Sequence, residues 1–566
     1  MKFIQETPRS QRSIFGYAID DFVSKDHFAR MVNDLFDTID LSSIEDRYSE
    51  LGRPAYYPKS MLKAWFYAYA NGIRSSRKLA KLLEENVAYM YLTNLRRPRY
   101  RILCYFRKEN EEAMAKIFAR VVHILCELGF ISYDKSFVDG TLMKANASKR
   151  RTRKKGKVKE EIVELEEKIK QKLKEYFHEV EEQDRREDKI YGDKRGDELP
   201  PELASEIEKG NLKKLVEKAK LKIEQEKADA IDKKMKRIEE DYELLKEMEE
   251  KGVDEINFSD EDARLMKHGQ GKAVPAYNGL VATENQFITG CLISQDKSDD
   301  YSLLPVIEEV EEVKGGALKP GTPVVTDAGF YNHKNLIGLD EKSLEGYIPK
   351  KIKTEKKPFS KDKFKYLKEE DVFLCPAGEK LCFSRYVTDK RRGTVYRIYR
   401  RGDCRGCPYF GECFKGRSKS RAIWEDGTIE LVEATRERVK SERGKFMMEK
   451  RKTEVEPVFG NLKHNMGYRY FLLRGKNGAK IEWTMMCTAH NLRKLWVMLL
   501  QRAGKSKMST KALIENLIDS RTREIIPINL LLKNLSINIQ NFKEQFCQFL
   551  SKLVFWVKTL CVVKIF

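Results

Sequence analysis

Ser136-Phe137-Val138-Asp139-Gly140-Thr141 and Val324-Val325-Thr326-Asp327-Ala328 are the stretches that decide the fold. In each, an apolar run typical of a short strand leads to an aspartate, and a small residue follows directly. Ligands of α/β sheets bind at the edge where strands end in their carboxyl termini. The pattern therefore predicts two strands of one sheet, each ending in a carboxylate at the same edge.

Strand and helix patterns alternate around the second stretch. They predict strands over residues 276–282, 287–294 and 346–349 and a helix over 302–313, with Asp299 or Asp300 as its cap. Strands and helices with short links indicate an α/β core with a mixed sheet.

The N-terminal part, up to about residue 130, has helical spacing and many aromatic residues. A helix is predicted over residues 59–69, and Ser75 or Ser76 can cap the next one. A basic stretch follows, which is compatible with a helix-turn-helix that binds DNA and equally with any small helical bundle.

Residues 157–250 are highly charged and carry two runs of helical apolar spacing, separated by glycines and prolines. This pattern predicts an antiparallel, coiled-coil-like helical hairpin inserted into the core. Helical spacing also appears near the C-terminus, from residue 530 onward.

The chain of 566 residues has a formal net charge of +21. Such a surplus of positive charge indicates a polyanionic partner, with nucleic acid ahead of a membrane surface. No stretch has the roughly 18 apolar residues that a membrane span needs, and the N-terminus has no apolar segment of an export signal. We therefore expect a cytoplasmic protein without a membrane partner.

A cysteine cluster lies between the second aspartate and the C-terminal helical region. A C-x2-C step with further cysteines on both sides has the spacing of a structural zinc site. Five cysteines compete for four positions, so the spacing leaves the ligand set open, and buried or reactive thiols remain the alternative. The candidates are Cys375, Cys382, Cys404, Cys407 and Cys413. Basic and aromatic residues around them suggest contact with DNA.

Many segments together resemble the DDE transposases of bacterial insertion sequences, in the branch whose catalytic core is interrupted between the second Asp and the Glu. They occur in that family's order. They are Gly52-Arg53-Pro54-Ala55-Tyr56-Tyr57-Pro58, Gly72-Ile73-Arg74-Ser75-Ser76-Arg77, Phe106-Arg107, Val138-Asp139-Gly140-Thr141, Ala145-Asn146-Ala147-Ser148, Asp262-Ala263-Arg264-Leu265-Met266, Ala276-Tyr277-Asn278, Thr326-Asp327-Ala328-Gly329-Phe330, Val455-Glu456-Pro457-Val458-Phe459-Gly460 and His490-Asn491-Leu492.

This resemblance implies a ribonuclease H-like mixed sheet flanked by helices. It also implies that Asp139, Asp327 and Glu456 are the catalytic acids and hold two Mg²⁺ or Mn²⁺ ions. Hard carboxylate oxygens suit these cations, which can assist both the attacking and the leaving oxygen of a phosphodiester. Since long insertions separate the acids in sequence, both insertions must loop out of one core for the three carboxylates to meet.

The resemblance also implies contacts with DNA. Lys463 lies seven residues after Glu456, about two helical turns and therefore on the same face of a helix, and is expected to contact the phosphate of the transposon end. Lys452 stands where the family has an Arg, with Arg451 beside it, and Glu449 stands where it has a Tyr. Arg74 and Arg77 in the N-terminal part are further candidates. Arg469 and Arg474 are interleaved with tyrosines, a pattern that suits binding of a DNA strand, and an ordinary basic loop is the alternative.

The implied activity is transposition by a homodimer on double-stranded DNA. The enzyme would bind terminal inverted repeats, cleave at the element ends, and join the freed 3′-OH to target DNA. One alternative is a DNA-binding protein that kept the fold and lost the chemistry, and the intact set of acids argues against it. The other is a ribonuclease H-like nuclease that cuts without joining, and the extra DNA-binding parts argue against that.

The predicted domains follow these patterns. They are a helical N-terminal DNA-binding domain (1–131), the first part of the catalytic core (132–156 and 251–354), the helical-hairpin insertion (157–250), the Cys-rich insertion (355–445), the Glu-bearing part of the core (446–505) and a helical tail (506–566).

Overall fold

The computed structural model describes residues 3–506, apart from residues 6, 13–15, 50, 192–224, 268–270, 351–358, 390–393, 415 and 417. The predicted tail beyond residue 506 and the glycine- and proline-containing break between the two charged helices lie outside the described residues.

Helices form most of the N-terminal part and both flanks of the sheet. In chain order they are α1 (Phe28–Asp37), α2 (Ser42–Glu45), α3 (Pro58–Ala70), α4 (Ser76–Glu85), α5 (Val87–Leu92), α6 (Tyr100–Glu109), α7 (Glu111–Glu127), α8 (Lys155–Tyr191), α9 (Gln225–Glu250), α10 (Leu303–Lys314), α11 (His333–Glu341), α12 (Phe410–Cys413), α13 (Ile429–Lys440), α14 (Glu442–Gly460) and α15 (Gly475–Ser506).

The strands belong to a mixed sheet, a small antiparallel sheet and a short ribbon. They are β1 (Ser136–Lys144), β2 (Thr152–Lys154), β3 (Glu255–Asn257), β4 (Arg264–Met266), β5 (Val274–Glu284), β6 (Phe287–Ser294), β7 (Pro323–Val325), β8 (Glu345–Tyr347), β9 (Lys365–Leu367), β10 (Val372–Leu374), β11 (Lys380–Asp389), β12 (Thr394–Arg400) and β13 (Ala422–Glu425).

The mixed sheet confirms the predicted α/β core. β1 is its central strand: it pairs with β5 antiparallel on one side and with β7 parallel on the other, and β8 continues the sheet parallel to β7. The far edge of β5 carries β6 and β4, both antiparallel. Helix α10 packs against β6 and α15 covers the same hairpin, so β5 is buried along nearly its whole length.

The prediction that β1 ends at Asp139 is wrong. The strand continues to Lys144, because β5 is long enough to pair with every residue from Phe137 to Lys144. Gly140, which follows the predicted end of the strand, lies within the strand opposite Leu280. The prediction for the other aspartate is confirmed, since β7 ends at Val325 and Asp327 follows as the cap of a 3₁₀ turn.

The N-terminal helices share one hydrophobic core with the mixed sheet. Helix α3 is buried on nearly all sides and extends one residue beyond each end of the predicted range 59–69. Ser75 caps α4, which is one of the two predicted caps. Helices α3 and α7 both pack against α15, and the buried residues of these elements form a single cluster. The N-terminal part is therefore packed directly onto the α/β core.

The charged insertion forms two long helices with their own small core. Helices α8 and α9 pack together through apolar residues such as Val158 and Met248. The ion pairs Lys155–Glu249 and Arg153–Asp241 show that the start of α8 lies beside the end of α9. The described parts of the two helices are therefore antiparallel, as predicted.

The Cys-rich insertion forms an antiparallel sheet in the order β13-β12-β11-β10-β9. Its small core contains Phe364, Phe373, Leu381, Tyr399 and Ile423. Tyr399 is fully buried and donates a hydrogen bond to Asp371, which also pairs with Arg397. Arg397 and Tyr399 are among the basic and aromatic residues around the cysteines, and both stabilise the sheet through Asp371.

Candidate active site

The two aspartates lie side by side on neighbouring parallel strands. Ser136 pairs with Val324 and Phe137 with Val325, and the same register carried two residues further brings Asp139 opposite Asp327. Neighbouring strands are about 5 Å apart. The sheet therefore brings together the two acids that were predicted to meet, although one stands within its strand and the other just beyond its strand.

Asp139 is held by a cation from helix α14. The Arg451 guanidinium donates from Nη1 to Asp139 Oδ2 at 2.7 Å, and the two side chains are 13% and 19% exposed. Burial raises the pKa of Asp139 to about 6, and the nearby charge of Asp327 adds to the rise, whereas Arg451 and the Gly140 N–H oppose it. The sequence predicts Arg451 as a DNA contact, and in the structure it pairs with Asp139.

Two glycines leave room for the carboxylates. A Cβ at Gly140 would lie 2.7 Å from Asp299 Oδ1, and one at Gly329 would lie 2.8 Å from Asp327 Oδ1 and 3.3 Å from Asp299 Oδ2. Asp299 accepts a hydrogen bond from Asn278 Nδ2 and lies beside Asp327. The prediction that its side chain caps α10 is wrong: Ser302 holds the cap position and only the Asp299 backbone carbonyl binds there.

Asp299 is a third acidic residue beside Asp327, and the sequence does not identify it as part of the site. Its position after a strand is a weak signal, because a helix cap and a site residue have the same local pattern.

Glu456 lies on α14 but is not gathered with the aspartates. Its side chain is exposed, and no group of three His, Cys, Asp or Glu side chains in the described part of the chain could hold a metal ion. Two residues away, Glu454 is buried and accepts a hydrogen bond from the Gln286 N–H at 2.7 Å. The two glutamates of this segment therefore have different environments, one structural and one open to solvent.

The turn between β5 and β6 holds α14 in place. Asn285 and Gln286 both have positive φ, as in the two-residue hairpin turns that suit twisted strands. Pro457 lies inside α14 and lacks an N–H, so the Thr453 carbonyl one turn earlier has no partner in the helix. Gln286 Nε2 donates to that carbonyl at 2.9 Å. The hairpin turn thus supplies the hydrogen bond that the proline removes.

His490 joins the same network from α15. Its Nε2 bonds the Gln286 carbonyl and its Nδ1 bonds Asn461 Nδ2, both at 2.9 Å. Burial lowers the pKa of His490 to about 4, so the ring is neutral near pH 7. With Asn461 donating to Nδ1, the ring proton lies on Nε2. His490 has a positioning role for the end of α14 that the sequence does not reveal.

The burial of His490 predicts an acid-sensitive fold. The unfolded chain binds a proton at this residue below pH ~6.5 and the folded chain only near pH 4, so this contribution to stability is lost as the pH falls between these values. The loss between pH 7 and pH 5 should be about 2 kcal/mol. Denaturant midpoints at the two pH values should show a smaller difference in His490→Gln. Replacing the exposed His464 by Gln should leave the wild-type difference, and a His490→Gln midpoint with the full pH dependence would contradict the assignment.

Lys463 lies against β1, close to Asp139. Its ammonium donates to the Thr141 hydroxyl and, at 3.1 Å, to the Leu142 carbonyl. Asp139 and Thr141 are two apart on one strand and face the same side of the sheet. The prediction of a continuous α-helix up to Lys463 is wrong, because α14 ends at Gly460 and a π-helical turn follows over Asn461–Asn465.

Arg469 and Arg474 lie along the same edge of the sheet. The segment that carries them is bridged to the end of β1, since Phe471 N donates to the Lys144 carbonyl. Both arginines are exposed and use Nε for a backbone carbonyl, of Lys463 and of Asn146 respectively. Together with Lys463, they give this edge of the core several positive charges.

The other predicted DNA contacts lie in different environments. Arg74 is 8% exposed, stacks over Tyr468 and Tyr470, and donates to the Tyr470 carbonyl. This corrects its prediction as a DNA contact, because the guanidinium is used to join the N-terminal helices to the core. Arg77 is exposed and stacks over Tyr100, and Lys452 is exposed on α14.

The cysteines lie apart from the aspartates, in the Cys-rich insertion. Four of the five line one small cavity and the fifth does not; the four are Cys375, Cys404, Cys407 and Cys413. Cys382 is exposed on β11. No described helix is both long and apolar enough to cross a membrane.

Comparisons with known families match two separate parts of the chain. A family model described as "Transposase DDE domain" matches residues 374–496, which contain Glu456 and Lys463. A model described as "Transposase domain (DUF772)" matches residues 17–109, which contain the N-terminal helices. Both aspartates lie between the matched segments. No curated protein and no solved structure gave a significant match. The two transposase matches identify the chain as a DDE transposase of an insertion sequence.

Proposed function

We propose that this transposase binds the terminal inverted repeats of its element, cleaves the DNA at the element ends and joins the 3′-OH to target DNA. The observation that carries the proposal is the register of β1 and β7, which places Asp139 beside Asp327. Arg451 and Lys463 reach the same face of β1 from the helical segment that also bears Glu456. An acid pair bordered by cations suits the hydrolysis and transfer of a phosphodiester.

We propose a ribonuclease H-like core as the basis of this site. The strand order β6-β5-β1-β7-β8, with β5 antiparallel to both β6 and β1, and with β7 and β8 parallel to β1, supports it. This order puts the acid-bearing strands side by side in the middle of the sheet.

The donor set fits Mg²⁺ or Mn²⁺. Asp139 and Asp327 supply hard carboxylate oxygens, and the raised pKa of Asp139 reflects burial together with the repulsion between the two charges, which a divalent cation would relieve. Glu456 is the third ligand in this proposal, and it is exposed on the same helix whose Arg451 contacts Asp139. When bound, divalent ions supply an activated attacking oxygen and neutralise the leaving oxygen.

The chain's own residues do the remaining work. Arg451 fixes the rotamer of Asp139 through its hydrogen bond to Oδ2, and the Gly329 N–H fixes Asp327 through Oδ1 at 2.7 Å. We propose that Lys463, Arg469 and Arg474 bind the phosphates of the element end beside these acids. Lys452 and Arg77 are proposed as further phosphate contacts because both are exposed. The active unit is proposed to be a homodimer, since two element ends must be processed together.

A labelled duplex that carries the element's terminal repeat tests this function. With Mg²⁺, the full chain should cleave at the repeat boundary and then join the labelled 3′ end to a target plasmid. Both products should disappear when EDTA replaces Mg²⁺, because carboxylates alone cannot activate the attacking oxygen. Gel analysis separates the cleaved and joined products.

Other results would favour another activity. Cleavage without joined product would support a nuclease, and binding that is never followed by cleavage would support a DNA-binding protein without chemistry. A duplex of scrambled sequence serves as the control for recognition of the repeat.

A further inference from the structure

The loop between β12 and β13 has almost no hydrophobic core of its own. Among its described residues, from 402 to 421, Ser420 alone is buried, and the longest helix is the single turn Phe410–Cys413. Ordering each residue costs roughly 1–2 kcal/mol of backbone entropy. A loop of this length that buries so little apolar surface needs another source of stability, which a bound metal can provide.

One cavity collects four thiols from two parts of the chain. Cys404, Cys407 and Cys413 come from this loop, and Cys375 comes from the turn after β10. The wall also contains Phe364 and Leu381, which belong to the small core of the sheet. A group that joined the four thiols would therefore tie the loop to the sheet at the place where the loop lacks packing.

Cys382 is separated from this set by its position on β11. It pairs in the strand ladders with Val372 on one side and Arg400 on the other, and its side chain is exposed. It does not line the cavity. The structure thus reduces the five candidates of the sequence to four.

The backbone around the thiols is arranged in tight turns. Cys407 N donates to the Cys404 carbonyl at 3.0 Å, and Gly378 N donates to the Cys375 carbonyl at 2.9 Å. The Glu379 N–H donates to Cys375 Sγ at 3.4 Å. Such N–H···S hydrogen bonds stabilise a deprotonated sulfur and orient it.

Two arginines lie in the wall of the same cavity. Arg421 Nη1 donates to Cys413 Sγ at 3.5 Å and to the Cys413 carbonyl at 2.6 Å, and Arg401 lies in the wall. Four thiolates around a divalent ion carry a net charge of −2, because four negative charges outweigh two positive ones. Arg401 pairs with Glu379, which also lies in the wall, so the Arg421 guanidinium is the group that offsets part of that charge.

We propose that Cys375, Cys404, Cys407 and Cys413 bind one structural Zn²⁺ ion. Zinc prefers four thiolates in tetrahedral geometry, and each cysteine loses its proton to solvent on binding. In the described residues no three side chains are already gathered for a metal, so binding draws the thiols inward from the cavity wall. The ion's role is to fold the loop onto the sheet, which is independent of the proposed chemistry at the aspartates.

Elemental analysis of the full chain, expressed with zinc in the medium and purified without chelator, tests the site. The wild type should contain about one zinc per chain. Cys404→Ser and Cys413→Ser should each lose most of it, because three thiolates bind less tightly than four. Cys382→Ser is the matched control and should keep the wild-type content. Zinc-free wild type, iron in place of zinc, or zinc loss in Cys382→Ser would overturn the proposal.

A second measurement covers variants that fail to fold. The wild type is titrated with a mercurial thiol reagent, and a chromogenic chelator measures the zinc that is released. One zinc should be released for every four protected thiols that the reagent modifies. Release that does not depend on thiol modification would also overturn the site. Because neither readout involves DNA cleavage, their failure differs from a failure of the proposed transposase activity.

Discussion

Replacing Asp327 by Asn should reduce Mg²⁺-dependent cleavage of the repeat duplex at least about 100-fold. Removing a group that merely orients a metal ligand costs about 10- to 100-fold, and loss of the ligand's own charge should cost at least as much. Asn keeps the size of the side chain and can still accept the Gly329 N–H. Fold and DNA binding should therefore persist, which fluorescence anisotropy with the same duplex can check.

Asp139→Asn should lose cleavage to the same degree but is a less clean variant. It leaves the largely buried Arg451 without its charge partner, and an unpaired buried charge is destabilising. The thermal midpoint of this variant should therefore fall, whereas that of Asp327→Asn should change little. Wild-type cleavage by either variant would remove the two aspartates from the mechanism.

Glu456 and Glu454 form a matched pair for the third acid. Glu456→Gln changes an exposed side chain, so it should abolish cleavage without lowering stability. Glu454→Gln weakens the buried contact with the Gln286 N–H, so it should lower the thermal midpoint. If Glu456→Gln cleaves like the wild type, another residue supplies the third carboxylate.

Replacing Glu482 by Ala should destabilise the folded chain by about 3–5 kcal/mol. Glu482 is fully buried and accepts hydrogen bonds from the Leu472 and Leu473 N–H groups and the Tyr69 hydroxyl. Tyr69 in turn accepts from Arg107, which is 3% exposed. The substitution would leave two amides without an acceptor and remove the negative charge nearest a buried cation. Urea denaturation followed by circular dichroism measures the loss.

Glu449→Ala is the control for this prediction. Glu449 is an exposed glutamate in a helix, so its replacement should change stability by less than about 0.5 kcal/mol. Glu482→Gln should fall between the two, since Gln keeps one oxygen acceptor but loses the charge. Equal midpoints for Glu482→Ala and Glu449→Ala would show that the buried network contributes nothing.

The sequence predicts those features that depend on local pattern. Apolar runs and turn residues predict β1, β7 and the β5–β6 hairpin. Apolar residues at helical spacing within a highly charged segment predict the helices α8 and α9. The register between β1 and β7 follows only once their parallel pairing is known. The length of β1 could not be predicted, because it is set by its partner β5 and not by its own Asp139-Gly140 step.

Contacts between distant segments could not be predicted. Arg74 reads as an exposed basic residue beside a helix cap, and only the packing of the segment around Tyr470 buries it. Gln286 supplies the hydrogen bond that the helix lacks at Pro457, although the two residues lie about 170 positions apart in sequence. The sequence around each of them gives no sign of this contact. The selection of four cysteines from five likewise depends on which strand carries Cys382.

The hydrophobic core that the N-terminal helices share with the α/β sheet has a consequence for how a cut is positioned. Helices α3 and α7 pack on α15 without a linker between two separate bodies. If the N-terminal helices bind the terminal repeat, the distance between the bound repeat and the aspartates is fixed by the fold. The cleavage point is then set by its distance from the recognised sequence, and the base pairs at the cut itself need not be read.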